Sequence, residues 1–176
     1  VPVASEQPGL DRQLLAQVPI LSGLPDRVLG RLADVARLVE LAAGDDLLAE
    51  GDQARSMFIV SDGEIEVCKR GRNGNEFCLA LLKRGDCVGE MSLIDIQPRS
   101  ATVRARADSL LYAVDHAEIG KLYQTDLEAY ALLVHNIARE ISRRLRFADQ
   151  ILVDMGVAVE GLWTDEPARW GPDRGR

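Results

Sequence analysis

Residues 85–103 read Gly85-Asp86-Cys87-Val88-Gly89-Glu90-Met91-Ser92-Leu93-Ile94-Asp95-Ile96-Gln97-Pro98-Arg99-Ser100-Ala101-Thr102-Val103. A strand ends at Gly89. Met91 to Ile96 is a short apolar run, long enough for one or two helical turns, and Pro98 breaks it before Arg99 begins the next strand. The first turn of such a helix leaves backbone N–H groups unpaired, which together with the helix dipole favour an anion. Gly89 lets a ligand approach the backbone closely. Arg99 brings a guanidinium that can grip a phosphate through paired hydrogen bonds, and Ser100 adds a hydroxyl. Glu90 would repel a phosphate but suits hydroxyl donors such as those of a sugar. The segment therefore reads as a site for a small anion carrying a sugar hydroxyl. The competing reading is an ordinary surface salt bridge between Glu90 and Arg99.

Outward from this stretch the apolar period is two. Leu47-Leu48, Met57 to Val60, Ile65 to Val67, Phe77 to Leu82, Ala101 to Ala107 and Leu110 to Val114 alternate with turn signals such as Ala43-Gly44-Asp45, Glu50-Gly51-Asp52, Asp62-Gly63-Glu64, Asn73-Gly74-Asn75 and Arg84-Gly85-Asp86. Short strands so punctuated predict a sandwich or barrel. Helical spacing flanks them. Leu14 to Leu21 reads as a short helix, and Pro25 opens another through Ala36. Ala117 to Tyr123 reads as a third, and Asp126 to about Met155 as a long fourth. The expected class is α+β, mainly β: an antiparallel, jelly-roll-like β-roll over 37–115. Helices would cover 13–36 and 116–155, with loose tails over 1–12 and 156–176.

Bulk properties narrow the function. The 176 residues carry 21 basic and 28 acidic side chains, a formal net charge of −7. That balance and the few residues after Met155 argue against a DNA-binding module, so no nucleic-acid partner is expected. Cys68, Cys78 and Cys87 are odd in number and lack metal-type spacing, which predicts plain thiols in a reducing, cytoplasmic setting and no metal. His116 and His135 fall in helical stretches outside the strands, and no catalytic set is evident, so no enzyme is expected. No apolar run reaches the length of a membrane span, and no secretory leader pattern is read.

Gly89-Glu90-Met91-Ser92-Leu93, five residues, then Arg99-Ser100-Ala101-Thr102-Val103 resembles the phosphate-binding cassette of the cyclic-nucleotide-binding family. That family includes the catabolite activator protein, the regulatory subunits of protein kinase A and cyclic-nucleotide-gated channels. The nine-residue step from Glu90 to Arg99, with Pro98 before the arginine, is similar to the kinase-regulatory and bacterial-channel versions. The β punctuation matches as well, so the resemblance covers roughly residues 14–150.

The resemblance implies a non-catalytic sensor of cAMP or cGMP, with cAMP favoured and no other cofactor. It implies that Glu90, helped by the Gly89 backbone, binds the ribose 2′-hydroxyl and that Arg99 neutralises the cyclic phosphate. Ser100, the Ala101 amide and amides near Met91, Ser92 and Leu93 would contact phosphate oxygens. Val88 and Val103 would pack near the base, although the family's usual aromatic is absent at Val88. The alternative is an interaction or dimerisation scaffold that keeps the fold without the ligand.

Val134, Ala138, Ile141, Leu145, Ala148, Leu152 and Met155 alternate steps of four and three, an a/d seam that predicts a homodimer. The same helix is expected to act as a lid over the base, with Arg139, Glu140 and Arg143 as candidate contacts. Arg139, Arg143, Arg144 and Arg146 read as a solvated face. The protein effector that would receive the signal is left open.

Overall fold

In the computed structural model, which describes residues 10–154 apart from 54, 72 and 96, helices flank two β-sheets. In chain order the elements are α1 (Arg12–Gln17), a 3₁₀ turn (Pro19–Leu21), α2 (Asp26–Val35), β1 (Arg37–Leu41), β2 (Asp46–Leu48), β3 (Ser56–Asp62) and β4 (Ile65–Arg70). There follow β5 (Glu76–Leu82), β6 (Cys87–Val88), a second 3₁₀ turn (Glu90–Leu93), β7 (Thr102–Ala105), β8 (Ser109–Asp115), α3 (His116–Thr125) and α4 (Leu127–Asp154). The first sheet runs β1-β8-β3-β6 and the second β2-β7-β4-β5, with every pairing antiparallel. This is the expected mainly-β roll with terminal helices.

Alternation along the strands deals apolar side chains between two cores. Met57 and Ile59 of β3, Cys87 of β6 and Tyr112 and Val114 of β8 pack with Leu14, Leu15, Val28 and Leu32 of the first two helices and with Ile119, Leu133 and Ile137 of the last two. The intervening residues Phe58, Val60, Val88, Leu111 and Ala113 face the inside of the roll and meet Ile65, Leu82, Val103 and Ala105 of the second sheet. The register keeps each set together, because Met57 lies opposite Val114, Phe58 opposite Ala113, Ile59 opposite Tyr112 and Val60 opposite Leu111. A one-residue slip would exchange the two sets.

The helix ends have local causes. Asp11 accepts from the Gln13 N–H at 2.9 Å and caps α1. Asp126 accepts from the Ala129 N–H at 3.2 Å and from Arg27 at 2.8 Å, which caps α4 and ties it to α2. Buried Asn136 donates from Nδ2 to the carbonyls of Ile20 (3.2 Å) and Ser22 (2.8 Å), satisfying the first 3₁₀ turn from α4. The face of α4 that meets the core is Ala129, Leu133, Asn136 and Ile137, one step away from the heptad seam. Val134 and Ile141 of that seam are half-buried, while Ala138, Leu145, Ala148 and Leu152 are exposed. Met155 and the tails expected at 1–9 and 156–176 lie outside the described residues. The chain divides into two units between Ile141 and Ser142. Within the second, residues 142–154 are helical and expose Leu145, Phe147, Ile151, Leu152 and Val153.

Candidate functional site

The stretch after β6 starts at Gly89, whose backbone is left-handed (φ 84°). A Cβ there would lie 2.5 Å from Arg99 Nη1 and 3.0 Å from the Ser56 carbonyl oxygen, so this position needs glycine for both conformation and space. The chain then winds into the 3₁₀ turn Glu90–Leu93, closed by the Ile94 N–H donating to the Met91 carbonyl at 2.9 Å. The helical run expected through Ile96 is thus shorter: Ile94 ends the turn and Ile96 lies outside the described residues. The Ser92 hydroxyl donates to the Gly89 carbonyl at 2.9 Å and tightens the turn.

Arg99 returns to this turn from the far side. Its backbone is held at both ends by the Glu50-Gly51-Asp52 loop: Gly51 N–H donates to the Arg99 carbonyl (2.9 Å) and Arg99 N–H to that of Asp52 (2.8 Å). Its guanidinium donates from Nη2 to the Ser56 carbonyl at 2.6 Å, and from Nη1 to the Gly89 carbonyl and the Ser92 hydroxyl, each at 3.4 Å. Nε has no hydrogen-bond partner. Glu90 is 1% exposed and Arg99 8%, which excludes the surface ion pair considered above. Burial pushes the Arg99 guanidinium below its ordinary pKa, and the charges of Glu90 and Asp52 oppose that shift.

The remaining sequence candidates divide in two. Val88 and Val103 are buried in the inner core of the roll, beside the turn. Ser92, Leu93 and Ala101 are half-buried, whereas Met91 and Ser100 are exposed. Leu93 packs against the outer core and, with Ser92, lines a cavity of about 310 Å³ whose other walls include Ile119, Tyr130, Leu133 and Ile137 of α3 and α4. The turn that bears Glu90 therefore shares a cavity with α3 and the first part of α4.

Sequence reasoning missed four neighbours. Ser56 supplies the carbonyl that holds Arg99 and donates its hydroxyl to Asp115 at 2.6 Å. Lys69 of β4 donates to the Ser100 carbonyl at 2.9 Å and sits 3.6 Å from Glu50, a second cation beside the cassette. Asp52 holds the Arg99 backbone. His116, set aside because it lies outside the strands, faces the site: its ring lines the 310 Å³ cavity and its Nε2 has no partner. Burial and then the Arg99 charge push His116 below the usual histidine pKa, against the Gly89 and Ser56 carbonyls and Asp115. No motif spacing marks these residues, because each reaches the cassette from a different element: Asp52 from a loop, Ser56 from β3, Lys69 from β4 and His116 from the start of α3.

Similarity to known proteins agrees with this geometry. The family profile described as "Cyclic nucleotide-binding domain" matches residues 38–126. A cAMP-dependent protein kinase regulatory subunit of Blastocladiella emersonii is 36% identical over 92 residues, covering 52% of this chain and 23% of that protein. A cyclic AMP receptor protein of Thermus thermophilus is 34% identical over 106 residues, covering 60% of this chain and 47% of its own. Among solved structures, the N-terminal domain of a transcriptional regulator from Streptomyces coelicolor superposes with a TM-score of 0.66 at 28% identity, covering 74% of this chain and 93% of that one. The chain thus spans less than half the length of those two curated relatives. Among the described residues no helix is long and apolar enough to cross a membrane. The matched roll and the buried Glu90–Arg99 cassette lead to one assignment: the chain belongs to the cyclic-nucleotide-binding domain family.

Proposed function

We propose that this domain binds one cyclic purine nucleotide, cAMP in preference to cGMP, as a non-catalytic sensor whose C-terminal helices respond to the ligand. The observation that carries the reading is the buried Arg99 guanidinium, with Nε unpartnered and Nη1 held only at 3.4 Å, next to buried Glu90. A buried cation with an unused donor is costly until an anion reaches it. Glu90 accepts from the ribose 2′-hydroxyl, and Val88 and Val103 give the base an apolar wall. Ser100, Ala101 and the backbone from Gly89 through Met91, Ser92 and Leu93 complete the phosphate contacts. The preference for cAMP rests on the cAMP-linked names of the relatives above.

The same geometry suggests the response. A phosphate oxygen at Nε and Nη1 competes with the Gly89 carbonyl and the Ser92 hydroxyl for the guanidinium. Loosening those bonds frees the Glu90–Leu93 turn to reorder, and Leu93 carries the change to α3 and the first half of α4. A ligand moves such an equilibrium only by its differential affinity for the two arrangements. Hydrogen exchange across 117–141 is expected to slow on saturation, and unchanged exchange there would remove the response. The exposed Leu145 and Leu152, with Val134 and Ile141, form the seam through which a homodimer is proposed; sedimentation showing monomer alone at high micromolar concentration would refute it.

Isothermal titration calorimetry of the purified, nucleotide-free chain with cAMP and then cGMP tests the function. One site per chain at micromolar affinity or tighter, with cAMP the stronger, is expected. Absence of heat with both, from folded protein, would instead leave an interaction scaffold of the same fold.

A further inference from the structure

In the second sheet, Cys68 of β4 lies directly opposite Cys78 of β5 on one side and Thr102 of β7 on the other. The two are ten residues apart in sequence, a spacing that suggests nothing. The register shift at Val67/Cys68 makes them partners and turns both toward Glu66. One donor atom from each of Glu66, Cys68 and Cys78 lies within 4.8 Å of the others. We propose that these three residues bind a thiophilic divalent cation of the zinc class, with water as the fourth ligand.

Donor identity and reach agree with this assignment. Two sulfurs and a carboxylate oxygen form a borderline-soft set, suited to a tetrahedral d¹⁰ ion. Bonds of about 2.3 Å to sulfur at a tetrahedral angle place two sulfurs about 3.8 Å apart, so side-chain rotation closes the site without moving the strands. Cys68 is 3% exposed and Cys78 is exposed, which gives one anchored ligand and one open to the entering ion.

The surrounding charge is also suitable. Arg104 of β7 is the cation facing this cluster, but it is engaged at 2.7 Å by both Asp46 and Glu76 and only at 3.8 Å by Glu66. Three carboxylates therefore surround one guanidinium, and the local field is negative. That negative field is what a divalent cation would neutralise. Binding replaces two thiol protons by two metal–sulfur bonds and releases both protons to solvent, with no change in oxidation state.

Anaerobic titration of the reduced full chain with Co²⁺, followed by Zn²⁺ displacement, tests the site. A sulfur-to-cobalt charge-transfer band saturating at one equivalent per chain is expected, and Zn²⁺ should abolish it. C78S should lose the band while keeping its fold and its cyclic-nucleotide binding, which separates this site from the cassette. E66Q should weaken Co²⁺ binding by about tenfold or more, at least the loss seen when a supporting metal-site contact is removed. A band that survives C78S would overturn the proposal. So would its absence from folded wild-type protein with reactive thiols. A two-hydrogen mass loss with Cys68–Cys78 cross-linking in place of metal uptake would identify a cross-strand disulfide and equally overturn it.

Discussion

The two sheets of the roll carry similar side chains under different constraints. In the first, β3 is buried from Ser56 to Val60, because helices cover one face and the roll interior the other. In the second, β5 is exposed from Glu76 to Leu81, and Phe77, Leu79 and Leu81 are 52%, 57% and 43% accessible. A run such as Met57-Phe58-Ile59-Val60 and a run such as Phe77-Cys78-Leu79-Ala80 look alike as sequence. Burial on two faces makes the first intolerant of change, and a solvated outer face leaves the second free to hold charge networks and thiols. The Gly89–Leu93 turn follows β6 of the first sheet and Arg99 leads into β7 of the second, with its guanidinium on the Ser56 carbonyl of β3, so the cassette spans both sheets.

Core truncation should separate the sheets most clearly. Ile59→Ala is expected to cost about 2–5 kcal/mol, since the cavity left under Tyr112 cannot collapse. Leu79→Ala should stay within about 0.5 kcal/mol. Equal shifts in urea midpoint for the two variants would break the comparison. Next in size, Arg99→Ala should weaken cAMP binding by about 2 kcal/mol or more, roughly thirtyfold, measured by calorimetry. Unchanged affinity would remove Arg99 from the site. Gly89→Ala forces a side chain into a left-handed backbone against Arg99, and a cost of about 1–2 kcal/mol is expected in thermal unfolding.

Smaller effects belong to exposed charge. Arg104→Gln should lower the unfolding midpoint of the second sheet's network at low salt, and the difference should shrink as salt rises. A salt-independent loss would mean that Arg104 acts through packing. The smallest expected effect is at acid pH. The Ser56 hydroxyl and then Arg37 hold the Asp115 carboxyl below its ordinary value of 3.8, against burial. A carboxyl depressed in the folded state adds stability above its unfolded pKa and loses it as pH falls through the folded value. Ser56→Ala should therefore reduce stability at neutral pH and narrow the gap to wild type below about pH 3.8. A gap that widens on acidification would reverse the assigned sign.

Local patterning was enough for the architecture. Period-two runs between Gly/Asp turns located the strands from 37 to 115, and the capping residues Asp11 and Asp126 stand where the helices begin. The cassette was legible because its chemistry is consecutive: Gly89, Glu90 and Arg99 lie within one turn and one strand entry. The face of α4 was harder to read. Two helical stripes, one through Leu133 and Ile137 and one through Val134 and Ile141, are both apolar, and only packing chooses between them.

What the chain encodes by itself is periodicity, turn chemistry and the cassette, because these depend on neighbours within a few residues. Tertiary structure alone decided that Ser56, Lys69 and His116 stand at the cassette and that Cys68 meets Cys78. It also decided that Arg99 is buried against carbonyls rather than exposed beside Glu90. Those contacts join residues on separate strands, loops and a helix, and strand register, bulges and packing, which no local pattern specifies, determine which side chains meet.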